Sequence, residues 1–126
     1  MQFDKDMDGK YSELFLYIRE ILLSYEDMKE VKKANITSYF CEGSGICYLR
    51  TYETGLTIAL FKGVHLEDRH NLLSGDGKTI RHMYMNKKQA IKKVVLQEYF
   101  QDAIVYNIEK KEKELIAKAY KKNKGL

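Results

Sequence analysis

The chain contains no proline, only two cysteines and no long run of apolar residues. Without proline it lacks the most common marker of a domain boundary, and no linker, repeat or low-complexity segment divides it. Cys41 and Cys47 are too few for a disulfide framework, and the sequence lacks the further ligands of a structural zinc site. We therefore expect buried free thiols and a single domain over residues 1–126, with flexible ends at residues 1–8 and 121–126.

The same absences bear on where the protein resides. No apolar stretch approaches the roughly 20 residues that a membrane-spanning helix needs. The N-terminus reads Met-Gln-Phe-Asp-Lys-Asp-Met-Asp, which is acidic where a signal peptide is basic and then apolar. With 44% apolar and 32% charged residues, the composition is that of a globular domain. We expect a cytoplasmic protein with no membrane partner.

Charge is unevenly distributed along the chain, although the formal net charge is only +4. Residues 1–30 hold eight acids and four bases, whereas residues 87–126 hold eleven lysines and five acids. The basic end could neutralise the phosphates of a nucleic acid, and the acidic end could attract hard cations. Glutamates interrupt the C-terminal lysines, however, and a helix of mixed charge is typical of a solvated surface.

Apolar residues recur at helical spacing near both ends of the chain. One stripe predicts an amphipathic helix over residues 9–24, with glutamates on its opposite side. A further helical turn is predicted over residues 26–33, with Met28 and Val31 pointing inward. A second stripe starts at Ile91 and predicts that the chain ends in helix.

Between these helices the sequence consists of short runs of β-branched, aromatic and glycine residues, which are typical of strands. The predicted strands are residues 36–41, 46–52, 56–62 and 79–85, with a helical turn at residues 66–72. The first three strands are joined by segments short enough only for antiparallel hairpins. The pattern predicts an α+β two-layer sandwich, in which an antiparallel sheet of four to five strands carries the terminal helices on one face. Four tyrosines are candidates for the other, partly open face: Tyr39, Tyr48, Tyr52 and Tyr84.

Three short motifs suggest ligand sites but fail in detail. Residues 4–9 begin like a calcium loop, yet the bidentate glutamate that such a loop needs is Phe15 here. Residues 75–79 end like a phosphate-binding loop, but a strand rather than a helix is predicted to follow. The three histidines, all within residues 65–82, have no recognised metal-ligand spacing. No nucleophile and base can be paired by spacing, so we predict no catalytic residues and no enzyme.

Residues 74–78 form a predicted tight turn, because two glycines two positions apart permit backbone conformations closed to other residues. Flexible glycines have N–H groups that can point outward toward an anion. Basic side chains flank the turn, and we predict that they converge with a histidine on an anion-binding patch: Lys62, Lys78, Arg81 and His82. The alternative is structural, with Arg81 paired to Asp68 or Asp76.

Four segments of the chain carry a family likeness. They are residues 16–24, the hairpin at residues 39–49, residues 60–66, and above all Leu-Leu-Ser-Gly-Asp-Gly-Lys-Thr-Ile-Arg-His at residues 72–82. Over residues 14–107 the chain resembles the YdhG-like domain family, small bacterial proteins most of which have no assigned molecular function. Members commonly have a proline just ahead of the hairpin aromatic, where this chain has Thr37-Ser38-Tyr39.

The resemblance implies an α/β sandwich and no established enzymatic reaction. The primary hypothesis is therefore a small noncatalytic binding domain whose partner is a small anion or a protein. Some relatives are labelled frataxin-like iron chaperones, which implies weak iron binding through carboxylates on a helix and an edge strand. Iron is the only cofactor considered, and its candidate ligands are Asp4, Asp8, Glu13 and Glu20. Weak nucleic-acid binding by the C-terminal lysines is the third hypothesis.

Overall fold

A computed structural model describes the backbone of residues 1–124 and the side chains of residues 1–122. Two helices precede the sheet, α1 (Gln2–Asp8) and α2 (Ser12–Leu23), and one long helix follows it, α3 (Lys93–Lys124). The strands are β1 (Met28–Lys32), β2 (Thr37–Cys41), β3 (Ser44–Tyr52), β4 (Gly55–Leu60) and β5 (Arg81–Met85). Short 3-10 turns lie at Gly63–His65 and Lys88–Ala90.

The five strands form one antiparallel sheet in the order β1-β2-β3-β4-β5, so each strand pairs with its neighbour in sequence. Glu42 and Gly43 join β2 to β3 with positive φ angles of 51° and 81°. Two such residues make the turn whose twist suits a two-residue hairpin. The predicted α+β fold with an antiparallel sheet of four to five strands is confirmed.

Helices α2 and α3 pack on one face of the sheet, where they bury the apolar residues that alternate along each strand. Ile18 and Leu22 of α2 and Phe100 of α3 are fully buried in the same core as Ile58 and Met83 of the sheet. No helix of the described residues lies on the opposite side of the sheet, which is called the open face below. Successive residues of a strand point to opposite faces, so strand register assigns each side chain to one of the two.

Residues 28–32 form strand β1, so the predicted helical turn over residues 26–33 is wrong. Asp27 has a φ of 65°, which a right-handed helix cannot contain, and the chain turns there after α2 ends. The strand then alternates: Met28 is buried toward the helices, whereas Val31 is exposed. Burial that alternates every second residue and pairing with β2 show a strand here, although the spacing of apolar residues resembled that of a helix.

Residues 2–8 form helix α1, where the sequence predicted a flexible segment. The backbone N–H of Gln2 donates to the carbonyls of Lys33 and Ala34 at 3.4 and 3.1 Å. Asp6 is buried, and its carboxylate accepts hydrogen bonds from Gln2 Nε2 at 2.9 Å and from the backbone N–H of Thr51 at 3.1 Å. These long-range contacts hold the segment on the sheet, and local sequence gives no sign of them.

Helix α3 continues through residues 121–124, four residues of the predicted flexible tail, and the last two lie outside the described residues. Every side chain from Ile108 to Lys122 is exposed, so only the first half of α3 belongs to the core. No helix in the described part of the chain is both long enough and apolar enough to cross a bilayer.

The two cysteines are free thiols, and Cys47 is fully buried in the core. Burial raises the pKa of the Cys47 thiol. Cys41, at the end of β2, is only partly buried, and its pKa is raised first by burial and then by the neighbouring carboxylates of Glu42 and Asp27. Raised thiol pKa values leave little thiolate at neutral pH, which fits a structural role for both residues.

Candidate binding site on the open sheet face

Strand β4 alternates large and small side chains. Leu56, Ile58 and Leu60 point toward the helices and are buried in the core. The intervening residues, Gly55, Thr57 and Ala59, therefore face the open side. Because these three side chains are small, taller neighbours can cover them: Ala59 is fully buried, and the trough on the open face lies at the end of β4 that contains Gly55 and Thr57.

The neighbouring strands supply taller side chains on both sides of this trough. The cross-strand register places three rows on the open face: Tyr48 with Ala59 and His82, Arg50 with Thr57 and Tyr84, and Tyr52 with Gly55. Aromatic rings of β3 and β5 thus stand on either side of small residues of β4. Residues paired across strands have side chains within contact distance of each other.

The concave part of this surface is a groove of about 480 Å³, called the aromatic groove below. Its lining includes Tyr52, Gly55, Thr57, His82, Tyr84 and Asn86. The walls are open to solvent, since Tyr52 is 49% exposed and Tyr84 is 64% exposed. The volume lies within the range of small-ligand pockets, and two exposed tyrosines give it flat, apolar walls with polar tips.

Gly55 is required at the floor of the aromatic groove. Its φ is +155°, and a Cβ atom at this position would lie 2.4 Å from the carbonyl oxygen of Met85. No other residue fits there without moving the backbone of β5. The glycine therefore lets β4 and β5 approach each other closely at the floor of the groove.

The aromatic rings continue beyond the groove across the sheet. Phe40 lies 6.2 Å from Phe61, and Phe61 lies 5.9 Å from Tyr48, measured between ring centroids. On the other side of the trough, the His82 and Tyr84 rings are 6.2 Å apart and stacked at 19°. Burial raises the pKa of Tyr48, and the phenols of Tyr52 and Tyr84 raise it further.

The charged strand residues on the open face are all basic. Strand register places Lys29 and Arg50 there, and none of the strand residues assigned to this face is acidic. The Arg50 guanidinium carbon lies 5.0 Å from the Tyr52 ring centroid, and Lys33 Nζ lies 5.6 Å from that of Phe40. Arg50 Nη1 donates to the carbonyl of Asn35 at 3.3 Å, whereas Nε has no partner among the described residues.

Two of the four residues of the predicted anion patch come together at the glycine turn. Arg81 and His82 leave β5 on opposite faces of the sheet, yet a Cβ atom at Gly75 would lie 3.6 Å from Arg81 Cδ and 3.2 Å from His82 Nδ1. Arg81 donates to the carbonyls of Gly77 at 2.6 Å and Ile80 at 2.8 Å, so it holds the glycine turn and pairs with neither predicted acid. Lys62 donates to Asn107 of α3 at 3.4 Å, and Lys78 is exposed in the turn. Whether any of them binds an anion stays a prediction.

The acids proposed as iron ligands are exposed on α1 and α2, two helices separated by a break at residues 9–11. Asp4 pairs with the N-terminal ammonium at 3.2 Å, and Asp8, Glu13 and Glu20 complete the set. Within the described residues no three histidine, cysteine or carboxylate side chains are grouped closely enough to hold a metal ion. Iron binding therefore stays an untested prediction.

The histidines of the long β4–β5 connection are kept apart by separate partners. His65 stacks on Tyr106 with ring centroids 4.9 Å apart, and His70 Nε2 lies 2.7 Å from a carboxylate oxygen of Glu98. The predicted helical turn at residues 66–72 is absent. Instead, the Asp68 carboxylate accepts the backbone N–H groups of Leu72 at 2.8 Å and Leu73 at 3.1 Å.

Sequence reasoning found part of the aromatic groove and missed the rest. Tyr48, Tyr52 and Tyr84 lie on the open face as predicted, whereas Tyr39 is fully buried on the helical side. Gly55 and Thr57 were not recognised, although the alternation of small and large residues in Gly-Leu-Thr-Ile-Ala-Leu was the available signal. Comparison with protein families, curated proteins and solved structures finds no match to this chain, so the YdhG-like resemblance stays a prediction.

Proposed function

We propose that the protein is a noncatalytic binding domain that holds a planar ring in the aromatic groove. The observation that carries this proposal is the pair of exposed tyrosines, Tyr52 and Tyr84, on opposite sides of the small residues of β4. Strands β3 and β5 are two interstrand spacings apart, about 9.6 Å. A flat ring stacked between two others needs about 7–8 Å, twice the optimal carbon–carbon contact distance. The strand spacing is therefore wide enough for one ring over the small residues of β4.

The polar groups of the groove favour recognition over chemistry. Thr57, Asn86 and the two phenol groups offer hydrogen bonds to the edge of a bound ring. His82 is the only groove residue among those described that is a common general base, and it stacks on Tyr84. A histidine base is usually oriented by a carboxylate, and the described groove lining contains none. These features support reversible binding of a ligand that is not chemically altered by the protein.

The proposal is tested by titrating the ¹⁵N-labelled protein with three neutral planar probes, adenosine, uridine and indole. We expect at least one probe to shift the amide signals of residues 52–57 and 82–86 in a saturable manner. Replacement of Tyr84 by alanine should weaken that binding roughly 5-fold or more, since a stacking partner contributes about 1 kcal/mol or more.

Tyr120→Ala is the matched control, because Tyr120 has the same 64% exposure as Tyr84 but lies on α3. It should leave the probe affinity unchanged. The proposal fails if no probe shifts these amides up to its solubility limit. It also fails if Tyr84→Ala and Tyr120→Ala have equal effects on the affinity.

A further inference from the structure

We infer that the ligand of the open face is a single-stranded nucleic acid, with a base stacked in the aromatic groove and phosphates held by the cations beside it. This assignment rests on the proposed function and adds the chemical class of the ligand. Three observations support it: the sign of the charge on the face, the length of the aromatic surface, and the position of cations next to rings.

The sign of the charge selects an anion. Strand register places Lys29 and Arg50 on the open face, whereas the one acid of the strands, Glu30, faces the helices. Lys33 adds a third cation at the rim, above the ring of Phe40. A neutral sugar is not attracted by these cations and a basic peptide is repelled by them, whereas a phosphodiester chain is attracted to them.

The aromatic surface is longer than one ring needs. From Phe40 on β2 to Tyr84 on β5 it crosses three interstrand spacings, about 14 Å. Two groups of rings make up this surface: Phe40, Phe61 and Tyr48, with centroid separations of 5.9–6.2 Å, and His82 with Tyr84, 6.2 Å apart. Because the two groups lie on different parts of the face, more than one base of a strand can contact it. Exposed rings stack on any base, which makes such binding tolerant of sequence.

Cations next to rings complete the arrangement. Arg50 lies beside Tyr52 in β3, opposite Thr57 and in the same row as Tyr84. The positive charge of its guanidinium attracts a phosphate to the space beside the Tyr52 ring. Bases in a duplex are stacked on each other and shielded from a sheet surface, so the rings can be reached only by a single strand.

The test measures the affinity of a fluorescein-labelled uridine oligomer of about 12 nucleotides, within the site sizes of comparable single-strand binders. Fluorescence anisotropy is recorded at several salt concentrations with the full-length protein. We expect the affinity to fall with salt, with a slope of about −0.7 for each phosphate contacted and two to three contacts in total. We also expect the oligomer to bind more tightly than uridine itself.

Two variants examine the groove. Tyr84→Ala should weaken oligomer binding roughly 5- to 100-fold, and Tyr84→Phe should restore it because the ring alone stacks. Arg50→Gln should weaken binding and reduce the salt slope by one contact. Amide spectra of each variant establish that the fold is retained, so that loss of binding is not loss of structure.

A third variant replaces Lys118, Lys121 and Lys122 of α3 by glutamine in the full chain. The inference is overturned if this triple variant abolishes binding while Tyr84→Ala leaves it unchanged, since the nucleic acid would then lie on α3. It is also overturned if a polyglutamate peptide binds the groove as tightly as the oligomer, because the partner is then an acidic protein segment.

The remaining outcomes distinguish a failure of the nucleic-acid assignment from a failure of the proposed function of the groove. If the neutral probes bind with Tyr84 dependence but the oligomer binds no more tightly than uridine, the nucleic-acid assignment fails and the proposed function stands. If neither the probes nor the oligomer shift the groove amides, both fail.

Discussion

Replacing Glu30 by glutamine should destabilise the protein by about 2–3 kcal/mol. The Glu30 carboxylate joins three elements, because it accepts hydrogen bonds from Arg19 of α2 at 2.7 and 3.0 Å and from Tyr39 of β2 at 2.8 Å. The side chain is only 10% exposed. A hydrogen bond to a charged group contributes about 1.5–3 kcal/mol, and glutamine keeps one of the two acceptor oxygens. For a chain of 126 residues this loss corresponds to a fall in Tm of about 8–11 °C.

The effect of this replacement should depend on pH in a defined direction. Burial alone would raise the pKa of Glu30, but the hydrogen bonds from Arg19 and Tyr39 outweigh burial and leave the pKa lowered. A carboxylate with a lowered folded pKa contributes stability that is present above its unfolded pKa, about 4.3. That contribution is lost as pH falls through the folded pKa. The stability difference between the wild type and Glu30→Gln should therefore be full at pH 7 and shrink below about pH 4.

Urea unfolding followed by circular dichroism measures both quantities. Glu20→Gln is the control, because Glu20 is an exposed acid on α2, next to Arg19 in sequence, and it should change stability by less than about 0.5 kcal/mol. A double-mutant cycle with Tyr39→Phe should show coupling, since Tyr39 donates to the replaced group. A loss for Glu30→Gln as small as that of Glu20→Gln, or a loss that is the same at pH 7 and pH 3.5, would refute this account of the cluster.

Two further replacements probe the groove floor and the long connection. Gly55→Ala should lower the free energy of unfolding by about 2–4 kcal/mol, because it adds a clash with Met85 to the strain of a positive φ. Gly43→Ala is the control: it has the same kind of strain but no neighbouring atom within 4 Å, and it should lower the free energy of unfolding by about 1 kcal/mol. Equal costs in urea unfolding would contradict this. Asp68→Asn should cost about 1–2 kcal/mol and speed amide exchange at Leu72 and Leu73, which donate to the carboxylate. Unchanged exchange at both amides would show that the carboxylate does not hold the connection.

The elements that sequence reasoning predicted well are those determined by neighbours in the chain. The β2–β3 hairpin follows from its glycines, and α2 follows from its apolar stripe. Strand β1 was missed because it depends on pairing with β2 and on a turn at Asp27. Helix α1 was missed because its anchor joins Asp6 to Thr51, 45 residues away. Contacts of that kind leave no periodic trace in the sequence.

Only part of the candidate site could be predicted, because the face to which a strand residue points depends on the strand register, which the sequence does not determine. Tyr39 was expected on the open face, but it pairs with Cys47 and Glu30 on the helical side. A shift of one residue moves every side chain of a strand to the other face, and the sheet has an irregularity between Tyr39 and Phe40.

The long helix α3 has a consequence for how unfolding is observed. From Ile108 onward its described side chains are exposed, so this half of the helix is held by its own hydrogen bonds rather than by the core. A helical segment of about 15 residues without tertiary packing is marginally stable in water. On heating, the far-ultraviolet helix signal should decline gradually while the tyrosines of the core still report a folded sheet. The two probes would then give different melting curves, although the sheet and its packed helices unfold in a single cooperative step.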